Sequence, residues 1–342
     1  MLTEKEINEI RTIIEKSNNP IYIFDNDGDG VCSYLMLKKH FKKGTGIPTI
    51  TAGALDKEYL KYVEEEKADL VVILDKAVIK QEFIDGTSCP VIYIDHHPIQ
   101  KLTKIKYFNP LKHDKKSYIP TSYMVYKVVK SNLWLAVIGC LFDYKIPEFI
   151  KEFKKEYPDL VNKITKDPGY LKYKAPVSKL VKVFAFNMKG KIKDIKNSIR
   201  AMEKIETPYE ILNQTTEEGK LIYNRYEKLN REYERLMDKG KACATKEKLL
   251  IFVYPSFETS FTSDVATELS YLYQNKTILV LREKDDELKL SMRDQKRNID
   301  KTFKKAMEGL IGHGGGHPHA VGGSIKRKDF EVFVDRIKKL TK

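Results

Sequence analysis

Three carboxylates fall within five residues in Asp25-Asn26-Asp27-Gly28-Asp29-Gly30, directly after the apolar run Ile21-Tyr22-Ile23-Phe24. Two more apolar runs end the same way. Leu70-Val71-Val72-Ile73-Leu74 runs into Asp75, and Val91-Ile92-Tyr93-Ile94 runs into Asp95-His96-His97-Pro98. The runs are apolar throughout instead of alternating, as strands buried on both faces of a parallel sheet are. Open α/β sheets bind ligands beyond the carboxyl ends of their strands. Asp25, Asp27, Asp29, Asp75, Asp95, His96 and His97 are therefore expected in one crevice. So many carboxylates cannot all ionise together without cations. Oxygen ligands mixed with imidazole suit Mn²⁺ or Mg²⁺ better than a thiolate-seeking metal.

The hexapeptide has rival readings. An EF-hand calcium loop is excluded, because its twelfth position is Met36 and a strand precedes it where a helix should stand. A strand followed by Asp-x-Asp also fits haloacid-dehalogenase-type phosphatases, with Asp25 as nucleophile, but leaves Asp95-His96-His97 unexplained. Taken alone, the segment is a solvated Asp/Gly turn. The paired histidines weigh against that, since a buried neutral imidazole still needs a partner.

The elements that must hold these residues are legible in outline. Short apolar runs alternate with helical patterns over the first 145 residues, including a helix over 31–41, which is a βαβ arrangement. Residues 146–245 are Lys-rich and helical, with breaks at Pro158, Pro168-Gly169, Pro176, Gly190 and Pro208. From Lys220 to Lys239 no Gly or Pro intervenes, and Leu221, Tyr226, Leu229, Tyr233 and Leu236 fall near one face, which predicts a long amphipathic linking helix. Strands return at 249–254, 277–281 and 288–292 with a helix over 263–274, and a glycine-dense loop is expected at 312–323. The spacing thus predicts two α/β domains, 1–145 and 246–342, joined by a helical connector over 146–245.

The chain has 342 residues and a net charge of +14. Its first 144 residues are nearly balanced, with 20 basic and 19 acidic side chains, so the excess lies further along. Basic flanks beside an acidic site fit a polyanion guided toward metal ions; a Lys-rich solvated surface explains the charge equally well. The four cysteines, Cys32, Cys89, Cys140 and Cys243, form no CxxC pair, which argues against a disulfide scaffold or a thiolate zinc site. No apolar run approaches the roughly 20 residues of a membrane span. The N-terminus is an amphipathic helix instead of a secretory signal, so a cytoplasmic location is expected.

In order, Asp25-x-Asp27-x-Asp29-Gly30, Asp75, Asp95-His96-His97 and Asp143 in Ile138-Gly139-Cys140-Leu141-Phe142-Asp143 resemble the motifs of the DHH phosphoesterase superfamily, specifically its RecJ-like nucleases. Gly314-Gly315-Gly316-His317-Pro318-His319-Ala320-Val321-Gly322-Gly323 is similar to the glycine-rich signature of the DHH-associated, substrate-binding domain. A zinc site from His313, His317 and His319 lacks a fourth ligand. Backbone N–H groups freed by glycine approach a phosphate closely, so anion binding is the better reading. The resemblance is to the compact archaeal form, so no oligonucleotide-binding barrel like that of bacterial RecJ is expected.

The resemblance implies a site with two Mn²⁺ ions, or Mg²⁺ in their place. Asp25, Asp27 and Asp75 would hold one ion, and Asp29, Asp75, His96 and Asp143 the other. His97 would contact the scissile phosphate and Asp95 would orient the histidine pair. Arg293, Gly315, Gly316 and His317 would hold the terminal nucleotide. The implied activity is exonucleolytic hydrolysis of single-stranded DNA or RNA to mononucleotides, in DNA repair, replication or RNA turnover, with replication proteins such as GINS as expected partners and no membrane. Two alternatives remain: a small-substrate DHH enzyme acting on short oligonucleotides, pAp or cyclic dinucleotides, and a non-catalytic replication scaffold like Cdc45. The small-substrate relatives begin their first motif with a histidine that this chain lacks, and the intact metal-ligand set argues against the scaffold.

Overall fold

The three apolar runs form the middle of a five-stranded parallel sheet. In a computed structural model, which describes residues 1–49, 53–257 and 259–341, β1 (Pro20–Phe24), β2 (Thr45–Pro48), β3 (Leu70–Leu74), β4 (Val91–Ile94) and β5 (Lys106–Phe108) stand in the order β2-β1-β3-β4-β5. The outer strands escape a pattern search because β2 reads Thr-Gly-Ile-Pro and β5 has only three residues. The register pairs Phe24 with Leu74 and Leu74 with Ile94. Beyond the strand ends the ladder continues for one more residue. Asp25 N donates to the Leu74 carbonyl, Asp75 N to Ile94 and Asp95 N to Phe108. Three aspartates thereby leave the sheet at one level.

Both faces of this sheet are covered, as the unbroken apolar runs require. Ile21, Ile23, Val71, Ile73 and Tyr93 pack with Val63, Phe83 and Ile84. The last three belong to α3 (Leu60–Glu65) and α4 (Gln81–Gly86). On the other face lies α2 (Gly28–Phe41), where Tyr34 stacks on Phe24 with ring centroids 4.7 Å apart. Against it pack α5 (Thr121–Val129) and α6 (Leu133–Phe142), the latter apolar almost throughout, and α1 (Glu4–Lys16) packs on α5.

The Lys-rich segment folds as part of this first unit, which spans Met1–Tyr226. Its helices are α7 (Ile150–Glu156), α8 (Pro168–Tyr173), α9 (Ser178–Asn187), α10 (Ile192–Met202) and α11 (Pro208–Leu212). They have apolar faces that need cover, and the first unit supplies it. Phe184 meets Trp134 edge-on at 5.8 Å, and the Tyr34 hydroxyl donates to Glu203 at 2.6 Å. The long helix α12 runs from Glu217 to Ala242, and the second unit spans Glu227–Lys342.

That second unit is a mixed sheet of β6 (Leu249–Pro255), β7 (Thr277–Lys284), β8 (Glu287–Arg293), β9 (Gly312–His317) and β10 (Ala320–Lys326), ordered β6-β7-β8-β10-β9. Only β6 and β7 pair in parallel. Helices α13 (Thr262–Leu272), α14 (Ile299–Met307) and α15 (Phe330–Leu340) complete it. The glycine-dense stretch is thus a β-hairpin, not the loop its composition predicts. Gly314 and Gly323 pair across it, and a Cβ on either would come within 2.7 to 3.1 Å of the Phe303 ring tip. The facing strand is closer still, with the Gly322 carbonyl oxygen 2.6 Å from a Cβ at Gly314 and the His313 carbonyl oxygen 2.5 Å from one at Gly323, so these glycines make room for both. No helix among the described residues is long and apolar enough to cross a membrane.

Candidate metal centre

The first motif turns a strand into a helix within three residues. Asp27 is the N-cap of α2, and its carboxylate accepts from Gly30 N at 3.0 Å. Capping by aspartate starts the helix at Gly28, earlier than its apolar pattern suggests. Asp29 therefore lies inside the first turn, fully buried. Its two oxygens accept from Thr121 N at 2.7 Å and Ser122 N at 2.9 Å, the first amides of α5. A helix N-terminus favours a negative charge there. Gly30 is required by close approach, since a Cβ would stand 2.3 Å from the Asp25 carbonyl oxygen. Gly30→Ala is expected to lower stability by about 2 kcal/mol or more, the range of overpacking strain, read as a drop in thermal midpoint.

Asp75 follows β3 with a left-handed backbone, φ 56°. Its Oδ1 lies 3.1 Å from His96 Nε2, which also stands 3.2 Å from Oδ2 of Asp143 at the end of α6. Beside it, His97 Nδ1 is 2.7 Å from Oδ1 of the fully buried Asp95. The second Asp95 oxygen accepts from His97 N, Tyr107 and Asn109 at 3.0, 3.1 and 3.3 Å. Two donor groups result, Asp75 with His96 and His97, and Asp29 with His96 and Asp143, each with ligand atoms within 4.8 Å of one another. Asp25 belongs to neither group. Its Oδ1 accepts from Thr49 at 2.7 Å and pairs with Lys76 at 3.0 Å. Asp27 is also outside them.

The electrostatics follow from this crowding. Burial, with the charges of Asp143 and Asp25, pushes Asp27 up to about 6. Burial and Asp29 push Asp143 to about 6 as well. Asp75 is held well above the carboxylate range by burial and by Asp29 and Asp27. Burial alone would depress His97, but its bond to Asp95 wins and raises it. Divalent cations fit these residues, since oxygen donors whose charges repel one another are relieved by a central positive charge.

A pH dependence with a definite sign follows for the chelator-treated protein. Asp27 and Asp143 titrate higher in the folded chain than their ordinary 3.8. The folded state then binds more protons than the unfolded one, so their contribution is fully present below 3.8 and lost as pH rises through about 6. The thermal midpoint of chelator-treated protein is expected to fall over that window. Added Mn²⁺ should reverse the slope, because protons compete with the ion for its ligands. Identical pH profiles with and without Mn²⁺ would count against a metal centre.

Sequence reading missed several residues here. Lys172, on α8, donates to the Phe142 carbonyl, lies over the Tyr144 ring at 4.2 Å and draws the Asp143 carboxyl down. Tyr118 donates to the Asp143 carbonyl at 2.7 Å. A lysine in a Lys-rich segment gives no signal, and only the fold places it.

In the second unit, Arg293 ends β8 opposite Ala320, which in turn pairs with His317 of β9. Arg293 donates to Thr267, Ser263 and the Val321 carbonyl. The Gly316 amide donates to Asp300 at 3.3 Å, and a Cβ on Gly316 would stand 2.3 Å from the Ala320 carbonyl. At Gly315 the nearest atom to an added Cβ is Asp300 Oδ1, at 3.8 Å.

The profile described as DHH family, N-terminal domain, matches residues 20–161, and the DHHA1 domain matches residues 247–342. No curated protein matches the chain. Among solved structures, RecJ from Thermus thermophilus in complex with Mn²⁺ superposes with a TM-score of 0.71 at 15% identity, covering 100% of this chain and 55% of that one. The chain thus spans about half the length of that protein. An exonuclease RecJ bound to manganese gives 0.67 at 13% identity, covering 100% and 95%. The DHH domain of a member of a ribosomal-protein family gives 0.68 at 18% identity, covering 98% and 90%.

Proposed function

Because the chain belongs to the DHH phosphoesterase superfamily, with a RecJ-like fold, we propose that it is a metal-dependent exonuclease that releases mononucleotides from an end of single-stranded DNA or RNA. The observation that carries this reading is the His96 imidazole between Asp75 and Asp143, with an Asp29 oxygen within 4.8 Å of the His96 and Asp143 ligand atoms. Asp29, Asp75, His96 and Asp143 would hold one Mn²⁺ or Mg²⁺, with Asp25, Asp27 and Asp75 about a second. Such ions lower the pKa of a water and offset charge on a phosphate in an in-line displacement. His97 would contact the scissile phosphate through Nε2, because Asp95 holds its Nδ1 and fixes the ring. Asp95 is itself held by Tyr107 and Asn109, so the pair keeps its orientation before substrate arrives.

In the second unit, Arg293, Gly315, Gly316 and His317 would bind the terminal nucleotide. Gly315→Ala is the clean test, because the added Cβ has room. The substitution is expected to leave the melting midpoint unchanged and to raise KM severalfold. Gly316→Val is not a clean test, since it strikes the hairpin backbone. An unchanged KM in Gly315→Ala would remove that glycine from the substrate site.

The experiment for the whole reading is digestion of end-labelled single strands with each end blocked in turn, over lengths from a dinucleotide to about a 40-mer at two salt concentrations. Each phosphate contact should contribute about −0.7 log unit to the salt slope for a single strand. Faster turnover on strands of about ten nucleotides or more, with a steep salt slope, is the expected result. Peak turnover on dinucleotides without salt dependence would transfer the assignment to a small-substrate phosphodiesterase.

A further inference from the structure

Lys76 follows Asp75 directly and is 3% exposed, yet it carries an ammonium into the floor of an acidic site. Its Nζ lies 3.0 Å from Asp25 Oδ1 and 3.4 Å from Thr49 Oγ1. The residue is fixed at its backbone too, since the Tyr93 hydroxyl donates to the Lys76 carbonyl. A buried ammonium is stable only when paired, and the partner here is the first carboxylate of the Asp25-Asn26-Asp27 turn. That carboxylate stands outside both donor groups of the centre, which gather Asp29, Asp75, Asp143, His96 and His97.

The two halves of the centre therefore differ. Around His96, carboxylates crowd together with no ammonium among them in either donor group: Asp75 and Asp143 stand 3.1 and 3.2 Å from its Nε2, and Asp29 offers an oxygen within 4.8 Å of the His96 and Asp143 ligand atoms. At Asp25 a cation is already built in. We propose that Lys76 Nζ is a resident positive charge at Asp25. The chain then takes one divalent ion tightly, at His96 with Asp29, Asp75 and Asp143. A second ion must displace the ammonium from Asp25 and binds weakly. The inference rests on the metal-centre reading above and adds that its two ion positions are unequal because of a residue that is not a metal ligand.

The test is an equilibrium Mn²⁺ isotherm on the chelator-stripped full chain, with free Mn²⁺ followed by its electron paramagnetic resonance signal. Wild type is expected to show one tight ion and a second that is weaker by about tenfold or more, the scale on which a neighbour of a ligand acts on metal affinity. Lys76→Met should tighten the second ion toward the first, and Lys76→Arg, which keeps the charge, should leave it weak. Asp25→Asn gives an independent arm that does not depend on the lysine variants folding. It should leave the tight ion unchanged and abolish the weak one. Two equally tight ions in wild type, an unaltered weak ion in folded Lys76→Met, or loss of the tight ion in Asp25→Asn would each overturn the proposal. No tight Mn²⁺ in wild type would overturn the metal-centre reading itself.

Discussion

Asp75→Asn is expected to abolish phosphodiester hydrolysis while leaving the chain folded. The carboxylate stands where the two proposed ion positions meet, with His96 Nε2 at 3.1 Å, Thr121 Oγ1 at 3.3 Å and the Asp27 charge acting on it. An amide offers one neutral oxygen in its place and cannot bridge two cations. A loss of about a thousandfold or more in kcat, roughly 4 kcal/mol of barrier at 1.36 kcal/mol per decade, is the expected scale. Asparagine is the right probe because the backbone here is left-handed, φ 56°, and asparagine tolerates that region better than alanine. After chelator treatment the variant should melt no lower than wild type, since one of several mutually repelling carboxylates has been removed. Turnover and thermal unfolding on the same preparation read both outcomes. Activity within a few-fold of wild type in a folded variant would dismiss Asp75 as a metal ligand.

His96→Ala is expected to cost a comparable factor, and it also separates two chemistries. The imidazole is the one group shared by both donor sets, within 3.2 Å of Asp75 and Asp143. Its loss should weaken Mn²⁺ binding and hydrolysis together. A haloacid-dehalogenase-type mechanism would instead need a covalent phosphate on Asp25 and little from His96. In that case His96→Ala would stay active and a phosphorylated Asp25 would be trapped in a brief turnover. Strong loss in His96→Ala with no phospho-enzyme is the result expected here.

The acidic centre was legible in the sequence because parallel strands that begin at the same level also end at the same level. Apolar runs capped by Asp25, Asp75 and Asp95 need no further information to converge. Less of the surroundings could be read. Strand β2 carries a glycine and a proline, and β5 is three residues long, so neither has a period to detect. Asp27 starts its helix early by capping it, which an apolar pattern does not register. Lys76 and Lys172 are lysines in a lysine-rich chain, and only tertiary packing distinguishes them from the solvated ones. The hairpin glycines misled in a different way. Composition suggests a loop around Gly314, whereas the facing strand's backbone and the Phe303 ring together leave no room for a Cβ at that glycine or its partner Gly323.

The most direct measurement is mononucleotide release from a labelled single strand by protein stripped with chelator and then titrated with Mn²⁺. No release from the stripped protein, and release that rises with Mn²⁺ until the centre is filled, is the expected result. Hydrolysis that persists after stripping and ignores added Mn²⁺ would contradict a metal-dependent centre built on Asp75 and His96.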